Sequence, residues 1–155
     1  MINSFSGEYR FLSNFYPIIH GSEEFRVTPV IRDSTNSIEY NKTFFETVEA
    51  AYQAAKRPEL CSIFAQLSPK DAKLLGRHVN MSPGFEYIKL ELMEDLVRQK
   101  FTKSEYLKQK LLDTGTHELV EGNNWGDRFW GVDGAGENHL GKILMKVRGE
   151  LRDSK

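Results

Sequence analysis

The chain has 155 residues, 39% hydrophobic and 28% charged, with a formal net charge of -1. That length and balance fit one domain with its own core, expected over residues 1–155, and exclude a disordered, collagenous or fibrous chain. Near-neutral charge excludes a broadly basic nucleic-acid coat, and the single cysteine, Cys61, excludes an internal disulfide framework and the paired spacing of structural zinc sites.

The N-terminal segment has no basic leader ahead of an apolar run, and no apolar stretch approaches the ~20 residues that span a bilayer. The expected location is the cytoplasm, with no membrane partner. Residues 1–45 read as irregular and β-prone. Pro17 argues against a helix in the aromatic stretch Phe11 to Pro17. A strand is expected from Glu24 to Ile31, a turn over 32–37, and a second strand around Ile38, Tyr40 and Phe44, together a hairpin.

The first clear helix begins near Glu46. ETVEAAYQAAKR is rich in helix formers, and Val48, Ala51, Tyr52 and Ala55 share one face. Pro58 ends it or opens another over Leu60 to Leu67. Ser68-Pro69-Lys70-Asp71 is a helix start, with a Ser cap and Pro in the first turn, and that helix runs to about Arg77. Ser82-Pro83 repeats the signal and opens the longest helix, about 83–102, striped by Phe85, Ile88, Leu92, Met93, Leu96, Val97 and Phe101. Ser104 caps a helix through Leu112 that Thr114-Gly115 ends. A short strand is expected over Glu118 to Glu121, an ordered loop over 122–138, and a last helix over 139–152 with Leu140, Ile143, Leu144, Val147 and Leu151 inward. Helices dominate and the strands do not alternate with them, which argues against a doubly wound sheet.

The loop Glu121 to Gly131 holds both tryptophans, Trp125 and Trp130, with Asp127 between them. Flat aromatic faces held open by glycines suit stacking on a base; the same residues would serve as a hydrophobic plug. Gly131, Gly134 and Gly136 precede Asn138, a reasonable helix cap, so backbone N–H groups there could receive a phosphate or simply close a turn. Glu49 sits among Val48, Ala50, Ala51 and Tyr52, where burial would raise its pKa toward acid/base use; the alternative is a solvated surface acid. Arg77 and Lys56 could bind phosphate or serve as ordinary surface charges. His20, His78, His117 and His139 show no metal-ligand pairing, and Cys61 reads as a buried small hydrophobe.

Several blocks together resemble the NADAR, or YbiA-like, family over almost the whole chain and in order. They are Phe11–Pro17, Thr47–Lys56, Gly76-Arg77, Lys100-Phe101, Leu119–Glu121, Trp125-Gly126-Asp127, Phe129–Gly131 and Gly136–Met145. The resemblance implies a compact, mainly helical α+β domain with a few short strands. It further implies an N-glycosidase, a hydrolase acting on a small-molecule ribose-phosphate nucleotide such as an early riboflavin-biosynthesis intermediate, with no metal or organic cofactor. Alternatives within the resemblance are an ADP-ribosyl hydrolase acting on guanine in ADP-ribosylated nucleic acid or on NAD-derived adducts, and a non-catalytic ADP-ribose or nucleotide-binding module.

Residue by residue, the family's acidic helix position falls on Glu49, and its loop acid and tryptophan on Asp127 and Trp130. Arg77, Asn14 and Lys56 match its polar pocket positions, and Asp133 is a further candidate acid. The expected arrangement has Glu49 and Asp127 as catalytic acids and Trp130 and Trp125 stacking on the base. Arg77 and the N–H groups from Gly136 to Asn138 would bind phosphate. This chain has Ala50 where the family often has His, and Phe85 where it often has Trp. The first removes a polar partner from beside Glu49; the second keeps an aromatic substrate-binding face without an indole N–H.

Overall fold

The computed structural model describes residues 1–18, 26–32, 38–40 and 43–154. Its first element departs from expectation. Gly7–Leu12 forms a 3-10 helix that buries Phe11 and Leu12, where sequence suggested only turns. Pro17 lies beyond the end of this helix and does not oppose it.

Strands β1 (Val30–Arg32) and β2 (Ile38–Tyr40) pair antiparallel, Val30 opposite Tyr40 and Arg32 opposite Ile38. The turn expected over 32–37 lies mostly outside the described residues, as does His20. The first strand is shorter than expected; Val27 instead forms an isolated antiparallel bridge with Phe45. Glu118 to Glu121 is not a strand of a sheet. It contributes an isolated parallel bridge between Ile2 and Leu119. Among the described residues the β part is therefore this one short hairpin plus bridges, on a molecule that is mainly helical.

Helix α1 (Val48–Ala55) starts at Thr47, whose hydroxyl accepts from Ala50 N–H at 3.1 Å. A 3-10 turn at Pro58–Leu60 leads into the short α2 (Cys61–Phe64), where Cys61 is buried. Helix α3 (Pro69–Gly76) has the expected cap, Ser68 Oγ accepting from Asp71 N–H. The long α4 (Phe85–Lys103) does not start at Ser82. Gly84, with φ +86°, occupies its N-cap, and the left-handed turn that a glycine allows there ends the Ser-Pro signal early. Ser104 caps α5 (Glu105–Asp113) as expected, and α6 runs His139–Asp153.

The core forms where α4 packs on α1, α5 and α6. Leu92, Met93, Leu96, Val97 and Phe101 of α4 meet Leu140, Leu144, Val147 and Leu151 of α6 and the apolar face of α1 in one buried cluster. Every residue of α1 is buried, because α3 covers the side that α4 leaves open. Gly76 makes that approach possible: a Cβ there would collide with Gln53 Oε1. None of the helices, among the described residues, is long and apolar enough to cross a membrane.

Candidate active site

Two helices each turn one stripe toward a common cavity of about 1010 Å³. From α1 come Glu49, Tyr52, Gln53 and Lys56; from α3 and its C-cap come Lys70, Lys73, Leu74 and Arg77. Both sets follow the i, i+3, i+4, i+7 spacing of a single helical face. The third wall is the loop after Leu119, which contributes Glu121, Asn123, Trp125, Asp127 and Trp130. The floor is the segment Ser13 to Phe15 over Met93.

Glu49 is 8% exposed. Its Oε1 accepts from Gln53 Nε2 at 2.8 Å, one turn along α1, and its backbone N–H donates to Asn14 O at 3.0 Å. Burial pushes the Glu49 carboxyl above the usual carboxylate range. The Gln53 hydrogen bond and the charges of Lys73 and Lys56 oppose that shift, and Asp127 adds to it. Lys56 is shifted down by its own burial, partly countered by Glu49. Burial likewise raises Tyr52.

Hydrogen bonds of its own side chains, rather than burial, shape the loop. Asn123 Oδ1 accepts from Trp125 N–H and Asp127 N–H, while its Nδ2 donates to Asp127 O at 2.8 Å. Asp127 Oδ1 accepts from Phe129 N–H at 3.2 Å and Trp130 N–H at 3.0 Å. Among the described residues its second oxygen has no partner, and Asp127 faces the cavity. Trp130 is held edge-on by Tyr52 at 5.5 Å and Phe129 at 4.8 Å between ring centroids. Trp125 is 58% exposed, with Lys73 Nζ 5.5 Å from its ring centroid.

Beneath the floor lies Lys100, 1% exposed, donating from Nζ to Ser13 O at 2.9 Å. Burial brings its ammonium down to about 7, with Glu121 acting the other way. This contact and the Asn14 Nδ2 to Met93 Sδ contact at 3.4 Å fix the Ser13–Asn14 segment against α4.

Of the residues expected from sequence, Asn14, Glu49, Lys56, Arg77, Trp125, Asp127 and Trp130 line this one cavity. Three do not. Phe85 is buried behind Tyr52, edge to ring at 5.5 Å, so it supports the wall without reaching the interior. Asp133 is spent inside the loop, its Oδ2 accepting from Gly126 N–H at 2.9 Å. Asn138 caps nothing; with φ +53° it spans two segments, accepting from Glu121 N–H and donating to Leu119 O.

At the expected anion site between Gly136 and α6, several backbone donors are already engaged within the loop. The N–H groups of Glu137, Asn138, His139 and Leu140 donate to carbonyls of Arg128, Gly131, Phe129 and Trp130. They hold the loop against the start of α6. The cationic side chains of α1 and α3, Lys56, Lys70, Lys73 and Arg77, line the cavity itself.

Sequence reasoning missed Lys70, Lys73, Gln53 and Glu121. The spacing of Lys70, Lys73 and Arg77 on one helix face was a readable signal; Gln53 one turn after Glu49 was another. Among the described residues, no three His, Cys, Asp or Glu side chains converge as a metal-holding group.

The fold and the three-walled cavity fit one family. The chain belongs to the NADAR domain family, whose model matches residues 3–152. It is 36% identical over 130 residues to the N-glycosidase Npun_R5314 of Nostoc punctiforme, covering 77% of this chain and 83% of that one. It is 34% identical over 150 residues to the riboflavin biosynthesis protein VVA0006 of Vibrio vulnificus, covering 92% of this chain but 36% of that longer protein. In structure it is similar to the NMR structure of the E. coli protein YbiA, with a TM-score of 0.72 and 26% identity over 99% of this chain and 88% of that one.

Proposed function

We propose that this enzyme hydrolyses the bond between a base nitrogen and ribose C1 in a phosphorylated ribose nucleotide, the riboflavin-intermediate type being the first candidate. The observation that carries the reading is the division of one cavity into unlike walls. Carboxylates of Glu49 and Asp127 face it from α1 and the loop, cations of Lys56, Lys70, Lys73 and Arg77 from α1 and α3, and the indoles of Trp125 and Trp130 stand beside the acids.

Each wall answers one demand of the reaction. Cleaving the bond builds positive charge on C1 and the ring oxygen, which a nearby carboxylate stabilises, and a second carboxylate takes a proton from water. The indoles give the base a stacking surface, and the cations hold the phosphate. Names of relatives support the reaction class: one is an N-glycosidase and another a riboflavin biosynthesis protein.

A second reading is an ADP-ribosyl hydrolase. What favours it is the run of four cations along one side, more than a single phosphate engages, in a cavity of about 1010 Å³. The test is to incubate the protein with ribose 5-phosphate N-glycosides and ADP-ribosylated guanine in DNA, side by side, and detect freed base by mass. Release from the monophosphates supports the first reading and release from the DNA adduct the second. Tight ADP-ribose binding with no base freed from any of them would leave a binding module and end both.

A further inference from the structure

We propose that Glu121 delivers the proton that the departing base nitrogen needs. The inference rests on the N-glycosidase reading and adds a third acid to it.

Glu121 stands where the chain leaves the Ile2–Leu119 bridge and enters the aromatic loop, and its side chain lines the cavity. Its backbone is fixed on both sides. Its N–H donates to Asn138 Oδ1 at 2.9 Å, and its carbonyl accepts from Val132 N–H at 2.8 Å. The carboxyl group is treated differently from the other two acids. Glu49 Oε1 receives Gln53, and Asp127 Oδ1 receives two amides, whereas Glu121 Oε2 is buried with no hydrogen-bond partner among the described residues.

A buried carboxylate without donors is expensive, while a buried carboxylic acid that can donate to a ligand is far less so. The charged groups that act on it are Asp127 from the loop, Glu49 from α1, Lys73 from α3 and Lys100 from α4. Burial first, and then Asp127, push the Glu121 carboxyl up to about 7 against the pull of the two lysines. A large share of it therefore still carries its proton near neutral pH, as a general acid must.

The step balances as follows. The bond from C1 to nitrogen breaks, its electron pair stays on nitrogen, and the Glu121 carboxyl proton moves to that nitrogen. A water oxygen bonds to C1, and its released proton passes to Glu49 or Asp127. Exchange with solvent in the open cavity returns a proton to Glu121. One water is consumed; free base and ribose phosphate result.

The experiment follows kcat and KM from pH 5 to 9 for wild type, E121Q and E121D on a ribose 5-phosphate N-glycoside with a neutral base. Wild-type kcat is expected to fall as pH rises through about 7. E121Q is expected to lose at least about a hundredfold in kcat together with that falling limb, with little change in KM. E121D, should E121Q not fold, is expected to keep the limb at a lower rate. An E121Q enzyme within about threefold of wild type, or either variant in which the limb is unrelated to the acid retained, overturns the proposal. Wild type that frees no base is a separate result: it removes the N-glycosidase reading first, and this inference with it.

Discussion

Helix α1 and the loop after Leu119 both present an acid to the cavity, by opposite means. In α1 burial dominates: every residue is buried, and the Glu49 side chain is held by the Gln53 amide one turn away. In the loop Trp125 and Gly126 are exposed, and Asp127 is oriented by backbone amides within a net of Asn123 and Asp133 hydrogen bonds. Burial sets the proton affinity of Glu49; hydrogen bonding sets the direction of Asp127. The contrast teaches that an acid can be prepared by desolvation on a rigid element or by geometry on an exposed one.

The largest effects should fall on these two acids. Glu49→Gln and Asp127→Asn are each expected to lower kcat on the order of a thousandfold, about 4 kcal/mol, measured by base release at saturating substrate. Stability should also respond to pH at Glu49. Because burial raises the folded Glu49 pKa above its ordinary value, the folded state holds that proton longer than the unfolded chain. Its destabilising effect is therefore absent below the unfolded pKa and grows as pH rises toward and past the folded one. Thermal melts should show Glu49→Gln gaining on wild type from pH 4 to 8.

Next in size is the cationic side. Arg77→Ala and Lys73→Ala would remove the charge-assisted contacts proposed for the phosphate and should raise KM by about tenfold or more, with kcat largely kept. Smaller again is Trp125→Ala. Its ring is mostly exposed, so melting should be nearly unchanged, and KM should rise by several-fold if the base stacks there. Smallest on activity is Phe85→Leu. It should lower the melting temperature, since a buried ring against Tyr52 is lost, and leave kcat/KM within about twofold.

Much of this was legible in the residues. Ser68 and Ser104 announced their helices, and the stripe on α4 gave its buried face. Small apolar neighbours marked Glu49 as an acid that could be buried. Other features depended on contacts that no local pattern carries. The spacing of Lys70, Lys73 and Arg77 puts them on one helix face, but that this face meets α1 depends on Gly76, which lets α3 close on it. Asn138 sits where a cap belongs, yet its side chain serves two backbone segments of the preceding loop. Glu121 looks like an ordinary acid in sequence, and only its unpartnered buried oxygen distinguishes it.

The most direct test of the divided cavity is steady-state kinetics of Glu49→Gln and Arg77→Ala on the same ribose-phosphate N-glycoside. Glu49→Gln is expected to lose turnover with KM within a few-fold, while Arg77→Ala is expected to lose affinity with turnover retained. Near-full turnover in Glu49→Gln, or a loss confined to kcat in Arg77→Ala, would contradict it.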